Sequence, residues 1–164
     1  MPTEIERRFL IEEPFAQPRV PGVSIKQGYL SLDPRRTVRV RVTHYGGVDA
    51  VGTLTIKGKK TGAAAPEFEY EIPRADAEDL LKLRISKLIE KTRYKMRFGD
   101  HDFDVDFFHG EHQGLVIAEV ELDSEDEEVS VPEWFGKEIT DDPAYSNAQL
   151  SRHLMRPGAG KISL

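Results

Sequence analysis

The 164-residue sequence contains no cysteine and a single tryptophan. Without cysteine there is neither a disulfide nor a thiolate metal site. No apolar run is long enough to span a bilayer, and no signal-peptide pattern stands at the N-terminus. A soluble cytoplasmic protein with no membrane partner is expected. Internal repeats and low-complexity linkers are absent, which leaves one domain over residues 1–164, long enough to bury a sizeable core. Positive charge is not in excess. Lys and Arg number 23 against 29 Asp and Glu, a net charge of −6, which argues against a nucleic-acid backbone as the main partner. No serine–histidine arrangement points to a covalent nucleophile.

What the sequence does have is charge, 32% of its residues, arranged with a period of two. Glu4, Glu6 and Arg8 share one face of any strand over residues 3–11, because side chains alternate across the pleat. Two carboxylates and a cation on one face are costly to bury without partners. They make sense where that face meets a metal ion and an anion. A Pro-rich loop with Pro14, Pro18 and Pro21 follows, then a strand over 24–32 carrying Lys26 and Tyr29. Thr37–Thr43 sets Val38, Val40 and Val42 against Arg39 and Arg41. Gly46-Gly47 marks a hairpin. Val51–Lys57 sets Leu54 and Ile56 against Thr53, Thr55 and Lys57. Residues 58–66 read as a flexible loop. Glu67, Glu69 and Glu71 then alternate with Phe68, Tyr70 and Ile72.

A helix is predicted next, with Asp76 as N-cap and Leu81, Ile85 and Leu88 as its apolar stripe. Ile89–Phe98 returns to a strand with Lys91, Arg93, Lys95 and Arg97 on one side. Asp102, Asp104 and Asp106 alternate with Phe103, Val105 and Phe107. Leu115–Leu122 ends in Glu119 and Glu121. The run 123–128 reads as a helix start or a solvated loop, and Trp134-Phe135 as packing within a loop. Asp142-Pro143 fits an N-cap followed by proline, opening a helix to about Met155 before Pro157-Gly158.

About eight strands and two or three helices result, each strand with one apolar and one charged face. An open antiparallel sheet with its charged side in water accounts for any single strand. It does not account for the set. The charges come in same-sign blocks, which cost energy unless neighbouring strands supply the opposite sign, and the helices are too few to cover so many strands. The pattern therefore predicts a β-rich α+β fold: a closed eight-stranded antiparallel β-barrel with a charged lumen and a few helices packed outside. A lumen with both carboxylates and cations suits a hydrated Mg²⁺ or Mn²⁺ together with a polyanion. The apolar outer faces leave room for a homodimer or for covering helices.

Other candidate motifs fail on spacing. Asp102–Asp106 lacks the glycine of a calcium loop, with Phe107 in its place. His109-Gly110-Glu111-His112 has the wrong spacing for a zinc helix and reads as a turn. Lys57–Thr61 is not a phosphate-binding P-loop.

The motifs in order resemble the CYTH superfamily, the triphosphate tunnel metalloenzymes. Glu4-x-Glu6-x-Arg8 is similar to its ExExK signature. Gln27-Gly28-Tyr29-Leu30, Arg39-x-Arg41, Thr55-x-Lys57, Glu69-Tyr70-Glu71, Glu90–Tyr94, Asp104-x-Asp106, Glu119-x-Glu121 and Trp134-Phe135-Gly136 extend the likeness along the chain. The resemblance implies an eight-stranded β-tunnel and metal-dependent chemistry on a triphosphate. It implies Glu4, Glu6, Asp106, Glu119 and Glu121 as metal ligands, and Arg8, Lys26, Arg39, Arg41, Lys57, Lys91 and Arg93 as substrate-binding residues. Arg8 and Tyr29 are the implied catalytic residues, with Tyr29 near the leaving phosphate. Glu69 and Glu71 are expected to be salt-bridge partners of the cations. Arg8 stands where the family usually has lysine. Arginine stays protonated and cannot act as a general base, so the metal, not Arg8, is expected to activate the water. Three functions follow. The first is hydrolysis of inorganic triphosphate to pyrophosphate and phosphate. The second is related chemistry on ATP (adenylate cyclase) or thiamine triphosphate. The third is polyphosphate or nucleotide binding without turnover.

Overall fold

The computed structural model describes residues 1–12, 17–46 and 49–152. Its strands are β1 (Thr3–Leu10), β2 (Val23–Ser31), β3 (Arg36–His44), β4 (Ala50–Gly58), β5 (Ala64–Ile72), β6 (Ile89–Phe98), β7 (His101–Phe108) and β8 (Val116–Glu121). Helix α1 (Arg74–Lys82) joins β5 to β6, and α2 (Asn147–Arg152) follows β8. The strands close antiparallel in the order β1-β5-β4-β3-β2-β6-β7-β8, so no edge is left unpaired. The expected eight-stranded barrel is the observed one. Among the described residues no helix is long and apolar enough to cross a membrane.

Alternation sorts every strand into an inner and an outer face. Outward residues of β1, β7 and β8 (Phe9, Phe103, Val105, Ala118, Val120) form one core under the segment after β8, which contributes Val129, Val131 and Phe135. Phe135 stacks on Phe9 with ring centroids 5.6 Å apart, and Trp134 meets Phe135 at 4.9 Å, so the Trp134-Phe135 pair is packing as expected. Outward Val40, Val42, Leu54 and Ile72 form a second core under Ala77, Leu80 and Leu81 of α1. A third core lies inside the barrel. Leu10, Ile89, Phe108 and Ile117 point inward at one end and meet Ile139, Tyr145 and Leu150 of the chain after β8. That end of the lumen is filled with hydrocarbon, and the polar lumen opens at the other.

Several expected boundaries move. Helix α1 starts after Pro73, so Asp76 lies in its first turn instead of capping it. The helix stops at Lys82, and the chain then turns back to the barrel, where the Ile85 amide donates to the Tyr29 carbonyl at 2.9 Å. Ile85 therefore lies outside the helix and is exposed. Leu88 is outside it too and packs on the second core. Residues 58–66 are not a loose loop. Thr61 and Ala64 exchange backbone hydrogen bonds around Gly62, whose φ of 60° suits glycine, and β5 begins at Ala64. The 123–128 run is non-helical. Asp142 does cap, its carboxylate accepting from the Ala144 amide at 3.0 Å, but it opens only one 3₁₀ turn, Pro143–Tyr145. The helix resumes at Asn147, and the expected end at Met155 and Pro157-Gly158, like Pro14 and Gly47, lies outside the described residues.

Close packing of α1 on β4 depends on a missing side chain. A Cβ at Gly52 would meet Ala77 Cβ at 2.7 Å and the Ile72 carbonyl oxygen at 3.0 Å. Gly52→Ala is expected to lift α1 off the barrel and lower stability by about 1–3 kcal/mol, read as a drop in the urea midpoint at unchanged slope.

Candidate functional site

The lumen holds a cavity of about 450 Å³ lined entirely by charged and polar side chains. Glu4 and Glu6 reach it from β1, Arg39 and Arg41 from β3, Lys57 from β4, Glu67 and Glu69 from β5, Arg93 from β6, and Glu119 and Glu121 from β8. Lys95, Arg97, Asp102 and Asp104 stand at its mouth, and Asn147 of α2 reaches in from the filled end. Most of the residues marked by the sequence thus converge on one space.

The deepest part is a continuous ion network. Lys91, fully buried, lies 2.8 Å from Asp106, and Arg93 grips the same carboxylate with Nε at 2.7 Å and Nη2 at 2.9 Å. Arg93 also reaches Glu119 at 2.9 Å. Arg8 donates from Nε to Glu119 at 3.2 Å and from Nη1 to the Tyr145 carbonyl at 2.7 Å. Burial alone would raise the Asp106 carboxyl, but Arg93 and Lys91 hold it well below the usual range. Glu119 follows the same logic: burial opposes ionisation, and Arg8 and Arg93 overcome it. Burial, with Arg93 and Arg41 nearby, draws the Lys91 ammonium down to about 7 against the pull of Asp106.

Two walls of the lumen differ in sign. On the β1–β8 side, Glu6 stands opposite Glu121 and Arg8 opposite Glu119 in register. Glu4 is held by Lys57 at 2.6 Å. Glu6 and Glu121 have no cation within 4 Å among the described residues. Burial, together with Glu119 and Glu4, pushes Glu6 up to about 8, and burial beside Glu4 and Asp104 raises Glu121. Glu67, buried beside Glu4, is also pushed up to about 8. On the β3 side the reverse holds. Arg41 donates to Gln27 Oε1 at 2.9 Å, and Arg39 to Thr55 Oγ1 at 3.2 Å. Neither forms an ion pair among the described residues. Burial next to Arg39 and Arg93 draws the Arg41 guanidinium down to about 9.

Two expectations change. Lys26 points away from the lumen, half exposed and 3.7 Å from Glu90 on the outer face, because Gln27, not Lys26, shares the inward face with Tyr29. Asp106 lies beside the lumen with its two oxygens held by Arg93 and Lys91, as the two of Glu119 are held by Arg8 and Arg93. Glu69 and Glu71 form no salt bridge among the described residues. Lys57 is taken by Glu4, and Glu69 instead meets the Thr55 hydroxyl at 3.4 Å. Tyr29 lies on the lumen face opposite Arg39 and is buried. Lys91 sits beneath the cavity, supporting Arg93 through Asp106. Gln27 and Asn147 bear on the site although sequence assigned them no role. Gln27 was marked by its strand parity with Tyr29, whereas nothing in the sequence singles out Asn147.

The donor set fits a hard divalent cation. Glu4, Glu6, Glu119 and Glu121 supply oxygen only, the preference of Mg²⁺ or Mn²⁺. The raised Glu6 and Glu121 mark a surplus of negative charge that such an ion relieves. Among the described residues no three of these groups converge into a finished cage, which agrees with the engagement of Glu4 by Lys57 and of Glu119 by Arg8 and Arg93. Removing Asp106 tests the network. Asp106→Asn leaves Lys91 and Arg93 buried without their shared counter-charge and is expected to cost about 3–5 kcal/mol in urea unfolding. Because the folded pKa of Asp106 lies below its ordinary 3.8, the wild-type advantage is full above that pH. It shrinks as pH falls toward the lowered value.

Comparison with known proteins agrees with this geometry. The model of the CYTH domain matches residues 2–152. An inorganic triphosphatase of Acetivibrio thermocellus is 41% identical over 93% of this chain and 96% of its own length. One of Nitrosomonas europaea is 34% identical over 91% and 97%. The crystal structure of the inorganic triphosphatase NE1496 superposes with a TM-score of 0.64 at 32% identity, covering 93% of this chain and 97% of that one. With its closed eight-stranded barrel, its charged lumen and this match along nearly its whole length, the chain belongs to the CYTH domain family.

Proposed function

We propose that the protein hydrolyses inorganic triphosphate to pyrophosphate and phosphate inside the barrel, with Mg²⁺ or Mn²⁺ as cofactor. The observation that carries this reading is the division of the lumen into two walls. Arg39, buried, and Arg41, half-buried, have no carboxylate partner among the described residues, which suits a polyanion, and they face the Glu4, Glu6, Glu119 and Glu121 wall, which suits a cation. The activity named for the relatives at 41% and 34% identity supports the same reading. An inorganic substrate is favoured over ATP or thiamine triphosphate because, among the described residues, no apolar or aromatic side chain lines the cavity, and recognition of an organic ring draws on such surfaces.

The chain's own residues divide the work. Arg39, Arg41 and Lys57 hold the phosphate oxygens, and Arg93 meets charge that develops as the bridging P–O bond breaks. Arg8 keeps Glu119 aimed into the lumen. Tyr29 stands beside Arg39, within the same wall. The cofactor supplies a Lewis acid for the phosphate and water oxygens when bound.

The test is an end-point assay with inorganic triphosphate, ATP and thiamine triphosphate, quantifying phosphate, pyrophosphate and cyclic AMP. Fast phosphate release from inorganic triphosphate, abolished by EDTA, is expected. Glu6→Gln should lower kcat by about 100-fold or more, since even outer-shell changes at metal sites cost about 10–100-fold. Arg8→Ala should lower kcat while Arg8→Lys retains most of it. Cyclic AMP from ATP, or no turnover of any of the three, overturns the reading.

A further inference from the structure

The cations of the lumen fall into two groups. Arg93 contacts Asp106 and Glu119, Lys91 contacts Asp106, Lys57 contacts Glu4, and Arg8 contacts Glu119. Each has a carboxylate within 3.2 Å. Arg41 is different. Its side-chain acceptor among the described residues is the amide oxygen of Gln27, at 2.9 Å. Gln27 is fully buried on the inner face of β2 and stands directly opposite Arg41 in the β2–β3 register. The amide orientation follows from that contact: the oxygen must face the guanidinium, so the Nε2 hydrogens point elsewhere. Among the described residues Gln27 Nε2 has no acceptor, and neither does Arg39 Nε on the neighbouring strand. Thr53 Oγ1, opposite Arg41 in the β3–β4 register, is also without a partner among the described residues, so this wall is loosely satisfied at three positions, and none of the three is a carboxylate.

A glutamine here holds a guanidinium without neutralising it. A carboxylate of nearly the same shape would hold it as well and would also cancel its charge, as Glu4 does for Lys57. From this geometry we infer that Gln27 is a positioning residue for triphosphate binding: it aims Arg41 through a neutral acceptor and so keeps that arginine's charge available to the substrate. The inference rests on the triphosphatase reading and adds the residue that keeps one wall of the lumen uncompensated. It also implies that the wall is built at some expense of stability, because a half-buried guanidinium without a counter-ion loses part of its hydration uncompensated.

That trade-off supplies a test with opposite signs. Gln27→Glu should raise the urea midpoint by pairing Arg41, and should raise KM for inorganic triphosphate at least about 10-fold, measured by phosphate release with Mg²⁺. Gln27→Met keeps the volume and neutrality but deletes the acceptor. It should lower the midpoint and raise KM less, with kcat nearly unchanged. A structural role alone moves stability and affinity together, or leaves affinity alone. A Gln27→Glu protein that is no more stable, or that keeps the wild-type KM, overturns the inference. If Gln27→Glu does not fold, Gln27→Met decides by the split between constants: a higher KM at nearly unchanged kcat supports the inference, and an unchanged KM or an equal loss of kcat overturns it. Wild-type protein that fails to turn over inorganic triphosphate removes the triphosphatase reading itself, which is a separate outcome from a variant that behaves like wild type.

Discussion

The chain from Lys91 through Asp106, Arg93 and Glu119 to Arg8 is what the rest of the lumen depends on. It ties β6, β7, β8 and β1 together with charge-assisted bonds at the depth where the barrel changes from hydrocarbon to polar. Its members are nearly all buried, so the pairing must be close to complete: an unpartnered ion there would cost several kcal/mol. Two cations meet Asp106 and two meet Glu119, and this over-supply of positive charge keeps both carboxylates ionised. Below the network the plug excludes water. Above it the groups are progressively freer, up to Lys95 and Arg97 at the mouth.

The same constraint explains the two walls. A lumen that balanced every charge would bind nothing strongly. Here the balance is met at the bottom and withheld above, as negative surplus around Glu6 and Glu121 and positive surplus around Arg39 and Arg41. Each surplus is a cost in the empty protein. A divalent cation and a polyanion entering together cancel both.

Strand parity made the barrel legible before any coordinates. Arg39 and Arg41 against Val38, Val40 and Val42, or Glu119 and Glu121 against Val120, already separate an inside from an outside, because the period of two survives closure. What parity cannot supply is the distance across strands. The sequence shows the inward face of Asp106, but not that Arg93 and Lys91 both reach its carboxylate. Lys26 illustrates a different limit: a lone cation on β2 carries no label for its face until Gln27 is found against Arg41. Ile85 fits a helical period, but Leu83 ends the helix and a backbone bond to Tyr29 draws the chain away. In both the fold and the site, the pattern within one strand was readable and the contact between distant segments was not.

The hydrocarbon plug of Leu10, Phe108, Ile117, Tyr145 and Leu150 turns the barrel from a corridor into a cul-de-sac. Among the described residues, the polar lumen opens at the end away from that plug. Whichever part of a linear anion goes in first is the last to come out, so of two fragments made inside, the outer one must leave before the inner one can. The order of departure is then set by architecture and not by relative affinity, and the fragment nearer the mouth governs how soon the next molecule can enter.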